Sequence, residues 1–139
     1  MEPHPDSEAL ATLGWRGEVP GILEIIDQRA LPLETTLLRL EALQPVWEAI
    51  KTLAVRGAPA IGVAAGYGVV IGAQEGLAEG PQAVPPAALH ALEHLATARP
   101  TAVNLFWALE RMRHALEERA SLEGRALAEA LREEARCIH

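Results

Sequence analysis

Residues 13–40 carry short apolar runs that are separated by glycine and proline. The LEII run at 23–26 predicts one strand and the TTLL run at 35–38 predicts another, since β-favouring residues dominate both. The interruptions fall at Gly14, Gly17, Pro20-Gly21 and Pro32. We expect two or three short antiparallel strands. So small a sheet is marginal alone and must pack against other elements.

From residue 44 onward the apolar positions recur at helical spacing. The pattern predicts an α+β fold that is mostly α, with a small antiparallel β-meander over 1–43 and a bundle of about five helices over 44–139. The helices are expected to begin near Pro45, at Pro59, at Pro85-Pro86, after Arg99-Pro100 and at Gly124. The fourth has an apolar stripe of Leu105, Leu109, Met112 and Leu116, and the fifth has one of Leu127, Leu131, Ala135 and Ile138.

The predicted second helix lies in a long uncharged run, 57–74. Its length is near the lower limit for a membrane span, but its many Gly and Ala residues favour a buried helix of a soluble protein. Glycines 62 and 66, and glycines 68 and 72, are four residues apart, so each pair shares a helix face. We expect other backbones to approach closely there.

Charge and composition exclude several classes of partner. The net charge is −7 and aromatic residues make up 4% of the chain, which argues against nucleic acid and anionic membranes as partners. The single cysteine, Cys137, excludes an internal disulfide and fits a reducing cytoplasm. No signal peptide is expected at the N-terminus. The last helix has no stop signal, so we expect the chain to be part of a longer protein.

Two segments share a pattern that favours anion binding. VRGAP and TARPT each place an arginine shortly before a proline expected to start a helix, three residues before it in VRGAP and directly before it in TARPT. Ala58 and Arg99 then fall at the cap positions, where both cap poorly, and leave free N–H groups at the positive end of each helix dipole. Arg56 adds guanidinium donors, and Gly57 permits close backbone approach. The alternative is that both arginines are solvated and that water caps both helices.

Other reactive side chains give weaker signals. His90 and His94 are four residues apart on the third helix, but no third ligand is clustered with them, so no metal site is expected. Cys137 lies late in a helix beside Glu133 and Glu134, where a thiolate is disfavoured, and is interpreted as a packing residue.

Four longer motifs resemble one known family. LEIIDQRALPLE, VRGAPAIGVAAGYG, ARPTAVNLFWALERM and EEARCIH resemble the N-terminal domain of the methylthioribose-1-phosphate isomerase family, which also holds the regulatory subunits of translation initiation factor 2B. The resemblance covers nearly the whole chain from Trp15. It implies a larger protein with a C-terminal Rossmann-like catalytic domain absent from this chain, usually in a homodimer.

The resemblance also implies a reaction and its residues. Methylthioribose 1-phosphate is expected to be converted to methylthioribulose 1-phosphate in methionine salvage, without a cofactor. The substrate-binding positions match Arg56, Gly57, Ala58 and Arg99. No catalytic residue is expected here, because the family's catalytic Cys and Asp lie beyond this chain, which should be inactive alone. A non-catalytic regulatory domain, an isomerase of another ribose phosphate and a free-standing domain remain as alternatives.

Overall fold

Three short strands form an antiparallel sheet in the computed structural model, which describes residues 13–55 and 57–138. They are β1 (Leu13–Arg16), β2 (Ile22–Ile26) and β3 (Leu37–Leu40), in the order β1-β2-β3. Leu23 and Ile25 of β2 are fully buried in the core. Between them, Glu24 accepts hydrogen bonds from Arg16 at 2.5 Å and from Arg39 at 3.0 Å, so one carboxylate ties the three strands together.

Five α-helices follow in the described part of the chain. They are α1 (Leu43–Lys51), α2 (Ala58–Glu75), α3 (Val84–Leu95), α4 (Val103–Glu118) and α5 (Gly124–Ile138), with short 3₁₀ turns at Gly76–Ala78 and Pro81–Ala83. The predicted fold class, a small antiparallel sheet followed by a helical bundle, is confirmed. The division at residue 43 stays a prediction.

Helix α2 is the centre of the bundle. Every residue over 61–74 is buried, because this helix is apolar on all sides and the other helices and the sheet surround it. By length and composition 58–78 could cross a membrane, yet most of it is buried inside the fold. The prediction of a buried helix is therefore confirmed.

The glycines of α2 allow other helices to come close. A Cβ atom added at Gly72 would collide with the Cβ of Ala91 in α3, and one at Gly68 would lie 2.9 Å from side chains of both α1 and α3. Gly66 faces α5 at Ala135. Gly62 faces α4, where the carbonyl oxygen of Asn104 would lie 3.5 Å from an added Cβ. The expected close approach is confirmed, although Gly62 and Gly66 serve two different helices.

These contacts also fix the helix directions. Gly62 and Asn104 each lie within about one turn of the start of their helix, so α2 and α4 begin at the same end of the bundle. Gly68 lies against Leu95, the last residue of α3, and Gly72 lies against Ala91, so α3 runs the opposite way. The connection from α3 to α4 therefore begins beside Gly68, in the middle of α2, and ends near the first turns of α2.

Polar contacts hold the sheet against α2. The Gln74 side chain accepts a hydrogen bond from the Gly21 N–H at 3.0 Å and donates one to the Gly21 carbonyl at 2.6 Å. The indole of Trp15 stacks on the ring of Tyr67 with the centroids 5.5 Å apart. Both contacts join the β1–β2 hairpin to the middle and the last turns of the central helix.

Candidate functional site

The N-terminus of α2 is exposed and has no side-chain cap among the described residues. Its cap residue is Gly57, with φ 90° and ψ 138°, and Ala58 is the first helical residue. The expectation that Ala58 occupies the cap position was wrong by one residue, because the backbone turns through a conformation that favours glycine. The Ile61 N–H donates to the Gly57 carbonyl at 3.0 Å. The N–H groups before it have no i−4 carbonyl within the helix.

The start of α1 shows how this fold caps a helix when the chain supplies the anion. There the carboxylate of Glu75 accepts a hydrogen bond from the Leu43 N–H at 2.7 Å. Negative charge at that position stabilises the helix dipole. The first turns of α2 and α4, in contrast, contain no acidic residue. The start of α2 can therefore receive an anion from outside the described chain.

Arg56 lies outside the described residues, between buried Val55 and exposed Gly57. Its predicted role in substrate binding stays a prediction. In the sequence it directly precedes Gly57.

Several hydrogen bonds hold the loop that leads to Gly57. The Gln28 N–H donates to the Ala54 carbonyl at 2.9 Å. Arg29 donates to the hydroxyl of Thr52 at 3.0 Å and is itself held by two hydrogen bonds to Asp27. Leu53 has φ 68°, which a leucine adopts only where its surroundings impose it. These contacts therefore hold Thr52 and Ala54 in place, a few residues before Gly57.

Arg99 lies in the turn between α3 and α4. The Ala102 N–H donates to the Arg99 carbonyl at 3.0 Å, so residues 99–102 form a turn with Pro100 in its second position. Helix α4 begins later, at Val103, with Ala102 as its cap. The prediction that Pro100 starts the helix and that Arg99 caps it was wrong, because proline fits this turn position as well as it fits a helix start.

The side chain of Arg99 is half-buried and pairs with no carboxylate of the described residues. Trp47 donates to the hydroxyl of Thr97 at 2.9 Å, which fixes the same turn against α1. A cation that lacks an internal partner, on a turn held in place, is suited to bind an external anion.

Helices α2 and α4 begin at one end of the bundle, and Arg99 lies in the connection that leads to α4. We call this end of the bundle the anion end: Gly57 and Ala58 at the start of α2, Arg99 in the turn, and Asn104 in the first turn of α4. The positive ends of two helix dipoles point the same way there. Phosphate binding by these residues, on a chain of net charge −7, stays a prediction.

An exposed apolar surface that was not predicted from the sequence lies beside the anion end. Val103, Phe106 and Trp107, in the first turns of α4, have 77%, 42% and 56% of their surface exposed. The helical periodicity could have revealed them, since these three residues do not lie on the helix face of the buried stripe that begins at Leu105. Such a surface is typical of a contact with another part of a protein or with a partner.

Neither histidines nor cysteine form a reactive site in the described region. His90 and His94 stack with their centroids 5.9 Å apart, and His94 stacks in turn on Trp47. No group of three metal-ligating side chains is found among the described residues. Cys137 is exposed, so its interpretation as a packing residue was wrong: it lies on the solvent side of α5, next to the buried stripe.

Curated relatives match most of the chain. A methylthioribose-1-phosphate isomerase of Alkalilimnicola ehrlichii is 43% identical over 129 residues, which are 89% of this chain and 36% of the relative. A 5-deoxyribose 1-phosphate isomerase of Moorella thermoacetica is 40% identical over 131 residues, which are 94% of this chain and 36% of the relative. The chain thus spans about a third of the length of the curated relatives it matches.

Two solved structures share its fold. The 5-methylthioribose 1-phosphate isomerase of Pyrococcus horikoshii OT3 is similar with a TM-score of 0.78 and 36% identity, covering 91% of this chain and 35% of that structure. The delta subunit of translation initiation factor eIF-2B from A. fulgidus is similar with a TM-score of 0.75 and 31% identity, covering 91% and 36%.

The family match runs through the anion end. The family model described as the initiation factor 2 subunit family matches residues 54–139. This range contains both predicted substrate-binding segments and four of the five helices. The chain belongs to the initiation factor 2 subunit family.

Proposed function

We propose that this chain is the phosphate-binding part of an isomerase that converts methylthioribose 1-phosphate to methylthioribulose 1-phosphate. The observation that carries the proposal is the shared start of α2 and α4, with Arg99 in the connection that leads to α4. The names of the curated relatives supply the substrate. Arg56, Gly57, Ala58 and Arg99 would bind the sugar phosphate.

The reaction needs phosphate binding and proton transfer, and these two roles would fall to different domains. The phosphate on the anomeric oxygen prevents ordinary ring opening, so the enzyme must open the ring, remove hydrogen from C2 and return hydrogen to C1. These transfers need a positioned acid and base in a site that excludes water. Guanidinium and helix N–H groups orient the phosphate and balance its charge, without transferring protons. The acid and base would lie in a C-terminal Rossmann-like domain outside this chain.

The assembled protein would be a cytoplasmic homodimer. The apolar surface of Val103, Phe106 and Trp107 supports a further contact, because large exposed apolar side chains next to a binding site usually become covered. We propose that the rest of the protein or a second subunit covers them.

Turnover distinguishes this proposal from its alternatives. We would compare this chain with the gene product read through to its stop codon, each with methylthioribose 1-phosphate and with 5-deoxyribose 1-phosphate. An active longer protein beside an inactive chain is expected. Preference for the deoxy sugar would assign the substrate of the Moorella thermoacetica relative instead. A folded, inactive longer protein would contradict the enzyme proposal.

The second candidate is a regulatory domain that acts through protein contacts. Its specific support is the likeness to the initiation factor delta subunit, which is nearly as strong as the likeness to the isomerase. A protein of this kind would bind partners through α4 and would not turn over sugar phosphates.

A further inference from the structure

An open pocket lined by two arginines lies beside α2, between the β1–β2 hairpin and α5. Its volume is about 340 Å³, and its lining residues are Gly14, Trp15, Gly17, Tyr67, Arg132 and Arg136. This volume is within the range of small-molecule sites, near its lower limit. Two guanidinium groups and two aromatic rings therefore line an open pocket that can take a small ligand.

The arginines are only partly satisfied by the rest of the fold. The Nε atom of Arg132 is buried and has no hydrogen-bond partner among the described residues. A buried donor without an acceptor is unfavourable, and native structures usually supply one. Arg136 has a single long ion pair, 3.8 Å from Glu133, whose side chain is exposed. The buried Nε–H of Arg132 can thus gain an acceptor from a ligand that enters the pocket, and the largely exposed Arg136 adds a second positive charge beside it.

The opposite wall is flat and fixed. Trp15 stacks on Tyr67, and the indole N–H is held by the Glu18 carbonyl at 3.0 Å. Burial raises the pKa of the Tyr67 hydroxyl. The charges of Arg132 and Arg136 oppose this effect and that of Glu133 adds to it, so Tyr67 is neutral at physiological pH. An added Cβ at Gly14 would meet no atom within 4 Å, which shows how open the space beside β1 is.

We propose that this cavity is a second anion-binding site, in which Arg132 and Arg136 bind the phosphate or carboxylate group of a small molecule while Trp15 contacts its apolar part. Paired guanidinium groups match the planar, multidentate acceptors of such groups. The site is independent of the proposed isomerase function. Tyr67 follows Ala58 by nine helical positions, about 13–14 Å along α2 from the anion end.

The test is an NMR titration of the ¹⁵N-labelled chain with methyl phosphate and, separately, with acetate at constant ionic strength. The reporters are the indole N–H of Trp15 and the amides of Gly14 and Gly17. Saturable shifts of these signals are expected. Arg132→Gln and Arg136→Gln should each weaken the apparent affinity by about tenfold.

Two arginine variants serve as controls. Arg125→Gln, at an exposed position of the same helix, should leave the affinity unchanged, and Arg99→Gln should leave the Trp15 signal unchanged because it alters only the anion end. If Arg132→Gln fails to fold, the affinity of Arg136→Gln decides the test, because Arg136 is exposed. A response to one probe only assigns the ligand as a phosphate ester or a carboxylate.

Three results would overturn the proposal. One is a set of shifts that never saturate with either probe. Another is equal weakening by Arg125→Gln, which would indicate general charge screening. The third is loss of the Trp15 response in Arg99→Gln, which would place the binding at the anion end instead. None of these results bears on turnover by the longer protein, so the two proposals can fail separately.

Discussion

Two residues with positive φ, Leu53 and Gly57, control how the chain enters the central helix. Leu53 has φ 68° and Gly57 has φ 90°. Between them the chain passes from the end of α1 to the exposed start of α2. Backbone conformations of this kind persist where surrounding contacts impose them, and they are frequent at binding sites. Here the hydrogen bonds from Gln28 and Arg29 supply those contacts.

Replacing Gly57 by alanine should destabilise the protein by about 1–3 kcal/mol, because a Cβ atom strains this backbone conformation. Steric crowding by neighbouring residues is not the cause, since an added Cβ would meet no atom within 4 Å. Gly14→Ala is the matched control: its Cβ is equally unhindered and its φ lies outside the positive range. Urea denaturation of both variants measures the difference. Equal stabilities would contradict the assigned conformation.

Glu24 should make the sheet sensitive to acid. Hydrogen bonds from Arg16, and next from Arg39, hold the pKa of Glu24 below its ordinary value of 4.5. A lowered pKa in the folded state stabilises the protein above the ordinary value, and this contribution is lost as the pH falls through the folded pKa. The free energy of unfolding of the wild type and of Glu24→Gln should therefore differ at about pH 7, and the difference should shrink as the pH falls below the ordinary value of 4.5. A difference that is constant over this range would contradict the ion pairs.

At the scale of elements, glycine spacing decides how tightly the helices pack around α2. Gly72 and Gly62 lie on the same helix, but their surroundings differ. The Cβ of Ala91 occupies the space beside Gly72, whereas the nearest atoms to an added Cβ at Gly62 are at ordinary contact distances of 3.5 Å and 3.7 Å. One glycine is required by packing and the other is not.

Alanine at these two positions should act in opposite directions. Gly72→Ala should destabilise by about 1–3 kcal/mol, because overpacking moves α3. Gly62→Ala should stabilise by about 0.5–1 kcal/mol, because alanine is the better helix former and the space is sufficient. Thermal unfolding of the two variants checks the signs. Destabilisation of similar size in both would show that α4 lies closer to α2 than described.

At the scale of the whole molecule, the elements were predictable from the sequence and their arrangement was not. The buried stripe of α4 and the proline-started α3 follow from local periodicity and from the missing N–H of proline. Pro100 led to a wrong prediction of the start of α4, because proline fits a turn as well as it fits a helix start. That α2 and α4 begin at one end depends on long-range packing at Gly62, which no local pattern encodes.

The candidate site shows the same division. Its residue types, an arginine beside a poorly capped helix start, were visible in the sequence at Gly57-Ala58 and at Arg99. Their meeting at one end of the bundle was not, and neither was the cavity of Arg132 and Arg136. Both depend on which helix faces come together, and hence on tertiary contacts that are distant along the chain.

The most direct test of the central claim is the kcat/KM of Arg99→Gln in the longer gene product with methylthioribose 1-phosphate. Arg125→Gln, exposed on α5, is the matched control. If the anion end binds the phosphate, Arg99→Gln should lower kcat/KM by about ten- to a hundredfold, as expected for loss of a hydrogen bond to a charged group. The control should keep the wild-type value. An unchanged kcat/KM in Arg99→Gln would contradict the account, since the phosphate would then bind elsewhere.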